Sequence, residues 1–385
     1  MGSLKTILDL YKEKHNSEPL LIRSPGRVNI IGEHTDYNLG SVLPAAINKY
    51  IFIAIGKRID DEINIYAADY TDSYSGTLSS LEKAWKLWPN YILGVINEIK
   101  KDGKNLSGVN IVFGGDIPLA VGLSSSAAIT CAAAFALNQL FALGYSKLEL
   151  AKIGQMSEHN FVGVNCGLMD QYVSLFGKEG HLLKLNCRTN EHQYIPYPEN
   201  NIEIVLFDSN VKHHLVSSAY NERREECQKG LDLVKAQVPG VTALPDITEE
   251  MLNKYVKPVD EIAYKRCLYV IQEIDRLEKV CKDLESEDFE ALGQRLFETH
   301  NGLQNLFEVS CDECDFLVET VKQDLNVLGA RMMGGGFGGC TINLIYKEAV
   351  EQVTEKLRNE YKAKFNKDLK VYTATIGNGT EEVKI

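Results

Sequence analysis

Three segments of this 385-residue chain concentrate side chains and backbone types able to bind and activate a substrate. The first, Pro25 to Asn38, packs Arg27, Glu33, His34 and Asp36 closely together. Carboxylates and an imidazole accept or donate in fixed directions, so Glu33, His34 and Asp36 suit the reading of a ring of sugar hydroxyls. A solvated polar turn is the competing reading. A metal reading of Glu-His-x-Asp is weakened by the missing second His.

The second segment, Pro118-Leu-Ala-Val-Gly-Leu-Ser-Ser-Ser-Ala-Ala128, is a run of small residues leading straight into a helical pattern. Unpaired amides and the dipole at a helix start favour an anion such as phosphate. Gly122 allows close backbone approach, and Ser124, Ser125 and Ser126 can donate hydroxyls or give an oxygen to magnesium. Ordinary N-capping explains a serine equally well at this point. No Gly-x4-Gly-Lys-Ser/Thr loop is present. The third segment, Gly334-Gly-Gly-Phe-Gly-Gly339, satisfies G-x-G-x-x-G but leads into a strand, which excludes a dinucleotide fingerprint. A backbone this free of side chains must approach something closely, a ligand or a neighbouring helix, or adopt positive φ. Glu158 and Asp170 add two carboxylates that could divide metal holding from orientation of an acceptor hydroxyl, though spacing alone does not decide.

The elements that must hold these segments are mixed. After an opening helix, strands are predicted at Ile22 to Ile31, Tyr50 to Lys57, Ile63 to Tyr66 and Gly108 to Gly115. Helices are predicted at Trp85 to Lys100, Ala127 to Leu143 and Lys147 to Phe161. Gly163 to Gln171 reads as a loop, Tyr172 to Tyr197 as a β-rich run, and Ile202 to Leu215 as a further strand signal. Residues 220–323 read as mainly helical. The strand Cys340 to Tyr346, a helix and the strand Val371 to Ile376 close the chain. The pattern lacks regular βαβ alternation and predicts an α+β fold in two lobes, residues 1–195 and 196–385.

Composition narrows the functions. Lys and Arg number 41 against 53 Asp and Glu, a formal charge of −12 with no basic block, which disfavours nucleic acid. The N-terminus lacks a secretory core, and Ala127 to Gly144 is broken by Asn138 and Gln139, so no membrane role is expected. Nine scattered cysteines fit reduced thiols and a cytoplasmic location. Cys311-Asp-Glu-Cys314 has no second pair to complete a zinc site.

Gly26-Arg-Val-Asn-Ile-Ile-Gly-Glu-His-Thr-Asp-Tyr-Asn38 resembles the galactokinase signature. The other two loops resemble the phosphate and C-terminal Gly-rich motifs of the wider family of galactokinases, homoserine kinases, mevalonate kinases and phosphomevalonate kinases. All three occur in the family's order. The resemblance implies a two-lobed small-molecule kinase with its site in the cleft, ATP as donor, Mg2+ as metal, and the C1 hydroxyl of α-D-galactose as acceptor. It implies Asp170 as catalytic base and Arg27 beside it, offsetting charge at the transferring phosphoryl. Glu33, His34, Thr35, Asp36, Gly167 and Tyr220 fall on the sugar site. Ala120, Val121, Gly122, Leu123, Ser124, Ser125 and Ser126 fall on the triphosphate loop, and Ser126 and Glu158 on the metal. A monomer or weak oligomer is expected.

Ala120 and Met333 stand where many members carry Gly and Thr. Thr35 and Asn38 favour galactose over N-acetylgalactosamine, whose kinases carry Ile and Cys there. Ser126-Ala127 is the pair that sugar sensors resembling the yeast inducer lack.

Overall fold

Between Tyr50 and Lys57 successive apolar residues alternate between two faces. Ile51, Ile53 and Ile55 join the main core, while Phe52 and Ala54 pack with Ile7 and Tyr11 of the helix Leu4–His15. That alternation builds the strands Leu20–Asn29 and Pro44–Lys57, paired antiparallel with a register shift between Pro25 and Arg27. The computed structural model describes residues 3–118, 121–164, 166–211 and 216–384. The described part of the Ile202 to Leu215 signal forms the strand Ile202–Asp208, and residues 212–215 lie outside the described residues.

Six strands form the first sheet, in the order Glu381–Glu382, Leu20–Asn29, Pro44–Lys57, Val109–Gly115, Glu62–Ala67 and Asp72–Thr77. One neighbouring pair, Glu62–Ala67 with Val109–Gly115, is parallel. The helices Pro89–Lys101, Ser125–Phe141, Lys147–Ser157 and Met169–Phe176 contribute to the core beneath it. The Ala-rich helix Ser125–Phe141 is mostly buried, as its continuous small apolar composition requires.

A second, antiparallel sheet orders Val327–Met332, Cys340–Tyr346, Ile202–Asp208 and Lys370–Ala374. The helix Phe289–Gly302 packs on its strand Val327–Met332, and the helix Glu261–Glu285 packs in turn on Phe289–Gly302. The chain then returns: Ile376 bridges Ile47, and Glu381–Glu382 pairs with the edge of Leu20–Asn29. A small third sheet joins Ser41–Val42, His181–Asn186 and Glu191–Pro196.

Two expectations are corrected. The segment read as a loop to Gln171 becomes helical at Met169, which puts Asp170 in the first turn of Met169–Phe176. The β-rich reading from Tyr172 fails over its first residues for the same reason. Tyr172 and Val173 have good strand propensity, but together with Leu175 they are buried on a helix. The helix Lys147–Ser157 also passes into a π-turn at Glu158–Val162, a local widening that often marks functional positions.

Candidate active site

The strand bulge at Pro25 to Arg27 is where the two walls of the site meet. Gly26 is required there, because a Cβ would lie 2.7 Å from the Leu123 carbonyl oxygen. The Arg27 amide donates to that same oxygen at 3.2 Å. The bulge re-aims Arg27, whose guanidinium forks onto Asp170: Nε to Oδ1 at 2.7 Å and Nη2 to Oδ2 at 2.9 Å. Nη1 donates to the Gly122 carbonyl. Ser124 donates its hydroxyl to Asp170 Oδ2 at 2.6 Å.

That last bond shows what the Ser124 hydroxyl does in place of capping. Ser124 is the N-cap of Ser125–Phe141 but makes no side-chain capping bond, and its φ is +57°. Its hydroxyl is turned to the carboxylate, so a simple cap is the wrong description. Val121 and Leu123 are buried, whereas Gly122 is exposed with φ +78° and Ser125 is half-buried. Ala120 lies outside the described residues.

Arg27, Glu33, His34, Asp36, Gly167, Asp170 and Tyr220 share a cavity of about 570 Å³ with Gly334 and Gly335, within the usual range for small-molecule sites. Thr35 does not reach it. Fully buried, its Oγ1 sits 2.9 Å from the Gly32 carbonyl oxygen and 2.6 Å from that of Ser41, holding the loop's shape. His34 adopts φ +63°. Its Nδ1 lies 2.7 Å from the Tyr37 hydroxyl, and its buried Nε2 has no partner among the described residues. Burial pushes its imidazolium down to about 4, so the ring is neutral at pH 7.

The carboxylates differ in kind. Burial pushes Glu33 upward, but Arg331, the Gly334 amide and Arg27 outweigh it and leave Glu33 below its ordinary value. Asp36 is pushed up to about 6, by burial first and then by Asp170 and Glu33 nearby. Glu158 rises to about 7, mainly through burial, against hydrogen bonds from Gln171 and Ser126. Burial also raises the Tyr220 hydroxyl, which remains a neutral donor.

Ser126 and Glu158 are thus neighbours, with Gln171 Nε2 on Glu158 Oε1 at 2.7 Å. Among the described residues no group of three or more His, Cys, Asp or Glu is arranged to hold a metal ion by itself. A single carboxylate beside a hydroxyl does fit magnesium, which completes its shell with phosphate and water.

Sequence reasoning missed Arg331 and Glu273. Arg331, fully buried on Val327–Met332, donates to Glu33 Oε1 at 2.9 Å and to the Ile30 carbonyl oxygen at 2.9 Å. Glu273, also fully buried, accepts from the Gly32 amide at 2.9 Å. A charge inside an otherwise apolar strand or helix face is the signal that could have found them, since such a charge is rarely buried unpaired.

Sequence profiles agree with this layout. The profile described as "Galactokinase galactose-binding signature" matches residues 9–57, "GHMP kinases N terminal domain" residues 90–178, and "GHMP kinases C terminal" residues 280–363. The chain is 41% identical over 367 residues to a galactokinase of Thermotoga neapolitana, covering 94% of this chain and 99% of the relative. It is 35% identical to a galactokinase of Roseiflexus sp. (strain RS-1), covering 94% and 93%. Among solved structures, Lactococcus lactis galactokinase complexed with galactose superposes with a TM-score of 0.94 at 31% identity, covering 99% of this chain and 100% of that one. The mevalonate kinase of Methanococcus jannaschii, at TM-score 0.64 and 20% identity, covering 94% and 100%, shares the fold.

Proposed function

The chain belongs to the galactokinases of the GHMP kinase family, and from that premise we propose that it transfers the γ-phosphoryl group of ATP to the C1 hydroxyl of α-D-galactose, with its residues dividing the work as follows. Asp170 takes the proton of the C1 hydroxyl as O1 bonds to the γ-phosphorus. The bond from that phosphorus to the β,γ-bridging oxygen breaks, and ADP leaves with the electron pair. The observation that carries this reading is the convergence on Asp170: Arg27 forks onto it from the sugar side, while Ser124 of the phosphate loop donates to the same oxygen pair. Acceptor and donor are thereby held at one carboxylate, which is the positioning that phosphoryl transfer demands.

Glu33, neutral His34, Asp36, Tyr220 and the backbone at Gly167 line the cavity and supply directional partners for the sugar hydroxyls. Thr35 acts one step back, by fixing the loop. Residues 121–126, with Ala120 carried over from the family motif, present amides and hydroxyls to the triphosphate. Ser126 and Glu158 would hold Mg2+, which would supply neutralisation of phosphate charge. The fit rests on a buried carboxylate whose hydrogen-bond partners, Gln171 and Ser126, are both neutral.

We place the lobe division near residue 195, before the second sheet begins at Ile202. We place the protein in the cytoplasm as a monomer or weak oligomer; all nine cysteines are unpaired, and no helix of the described residues is long and apolar enough to cross a membrane.

An ADP-release assay across galactose, N-acetylgalactosamine, galacturonate and glucose tests the reading. Galactose should give the highest kcat/KM, with a sugar 1-phosphate as product. Equal or better turnover of another sugar, or sugar binding without product, defeats it.

A further inference from the structure

Glu33 is held by more than a sugar-reading residue needs. Its Oε1 accepts from Arg331 Nη1 at 2.9 Å and from the Gly334 amide at 2.8 Å, and its Oε2 accepts from Asn29 Nδ2 at 3.1 Å. Its backbone carbonyl accepts from the Tyr269 hydroxyl at 3.1 Å. Arg331, with no exposed surface, also donates to the carbonyls of Ile30, Met332 and Asn29. The guanidinium belongs to the second sheet, and most of its acceptors belong to the end of the strand Leu20–Asn29 and the loop after it. Gly334 opens the Gly-rich loop with φ +89° and lines the cavity. The preceding Met333 lies against the phosphate loop, its Cε 3.9 Å from where a Cβ on Gly122 would stand.

A chain of contacts therefore runs from the sugar wall through buried Glu33, half-buried Gly334 and buried Met333 toward the phosphate loop. We propose that Arg331 is a positioning residue that couples the two substrate sites: by fixing Glu33 against the Gly334 amide, it makes occupation of the sugar pocket and the setting of the phosphate-side loops one linked event. A planar fork is suited to this because it can bond Glu33 and two backbone carbonyls at once, which a lysine cannot. The inference rests on the galactokinase reading of the cavity.

Titration calorimetry of galactose tests it, with and without saturating adenylyl imidodiphosphate and Mg2+. Wild type should bind galactose at least about fivefold more tightly with the nucleotide present, the lower end of ordinary coupling, and by linkage the nucleotide should gain equally from galactose. In Arg331→Met the nucleotide should change galactose affinity by less than about twofold, while Arg331→Lys should restore part of the coupling. Where Arg331→Met does not give a cooperative melt, Glu33→Gln, which keeps the shape but not the charge, should lose the coupling in its place. A wild type without coupling overturns the proposal, as does full coupling in Arg331→Met or in Glu33→Gln. Formation of galactose 1-phosphate by the wild type is measured alongside. Its absence sinks the galactokinase reading itself, whereas its presence without coupling sinks only the role of Arg331.

Discussion

Glu33 and Glu158 are both buried carboxylates, 4% and 3% exposed, one on the sugar side of the site and one on the phosphate side. Burial pushes both upward, yet Glu33 ends below its ordinary value and Glu158 near 7. Arg331 and the Gly334 amide make the difference, since the hydrogen bonds Glu158 receives come from neutral groups. The sugar wall is finished by the protein, with its charge opposed and its loop braced by Thr35, Glu273 and Tyr269. On the proposed phosphate wall Glu158 receives hydrogen bonds from neutral groups, and the proposed Mg2+ would be the charge that opposes it. Under the proposed roles the contrast accounts for ATP on a chain of net charge −12: backbone amides, a helix start and Mg2+ would supply the positive field in place of a basic patch.

Asp170 lies where the walls join, so its loss should damage chemistry and leave both binding walls standing. Asp170→Asn should lower kcat by about 10²- to 10⁴-fold, the range for removing a general base, with galactose affinity nearly unchanged. Stopped-time product assays and galactose calorimetry separate the two quantities. Near-normal turnover would show that Asp170 neither accepts the proton nor orients the hydroxyl.

The next largest effect belongs to the sugar wall alone. A Cβ on Gly167 would stand 2.3 Å from Asp36 Oδ2, so Gly167→Ala must rotate the Asp36 carboxylate away. The KM for galactose should rise about tenfold or more, the scale of one misplaced polar contact, while the KM for ATP stays put. An equal rise in both would mean that the two walls are not separately built.

How these residues come to stand together was only partly readable in the sequence. The three loops declare themselves through local composition, and each lies at the cavity or against it. The strands flanking them follow from alternation, as at Ile51, Ile53 and Ile55. What local pattern could not convey is long-range. Asp170 sits on a helix and not in a loop because Tyr172, Val173 and Leu175 find burial only in that conformation. Ser124 makes no capping bond because its backbone takes φ +57° and its hydroxyl turns to donate to a carboxylate from a distant segment, Asp170. Arg331 stands in an apolar strand and Glu273 on the buried face of a charged helix, and nothing nearby in sequence marks their long-range partners, Glu33 and the Gly32 amide.

Asp36 gives the sugar wall a measurable pH response. Burial beside Asp170 and Glu33 raises it to about 6, so it is protonated below that pH and ionised above it. If ionised Asp36 accepts a sugar hydroxyl, kcat/KM for galactose falls as pH drops through 6, approaching tenfold per unit. Asp36→Asn should lower the plateau and remove that limb. A limb that persists unchanged in the variant would assign it to another group.

Glu158 should give the smallest effect, and one of opposite sign for stability. Its folded value of about 7 lies above the ordinary 4.5, so between those values the folded state holds a proton the unfolded state has lost. Stability from this group is complete below about 4.5 and disappears as pH rises through 7, a change of the order of 3 kcal/mol. Glu158→Gln removes the uncompensated charge and should raise Tm at pH 8 by a few degrees in the absence of ligands. Mg2+ with adenylyl imidodiphosphate should stabilise wild type more than the variant, because only wild type offers the carboxylate. A variant that melts lower than wild type at pH 8 would mean that Glu158 is already compensated without a cation, and the contrast with Glu33 would fail.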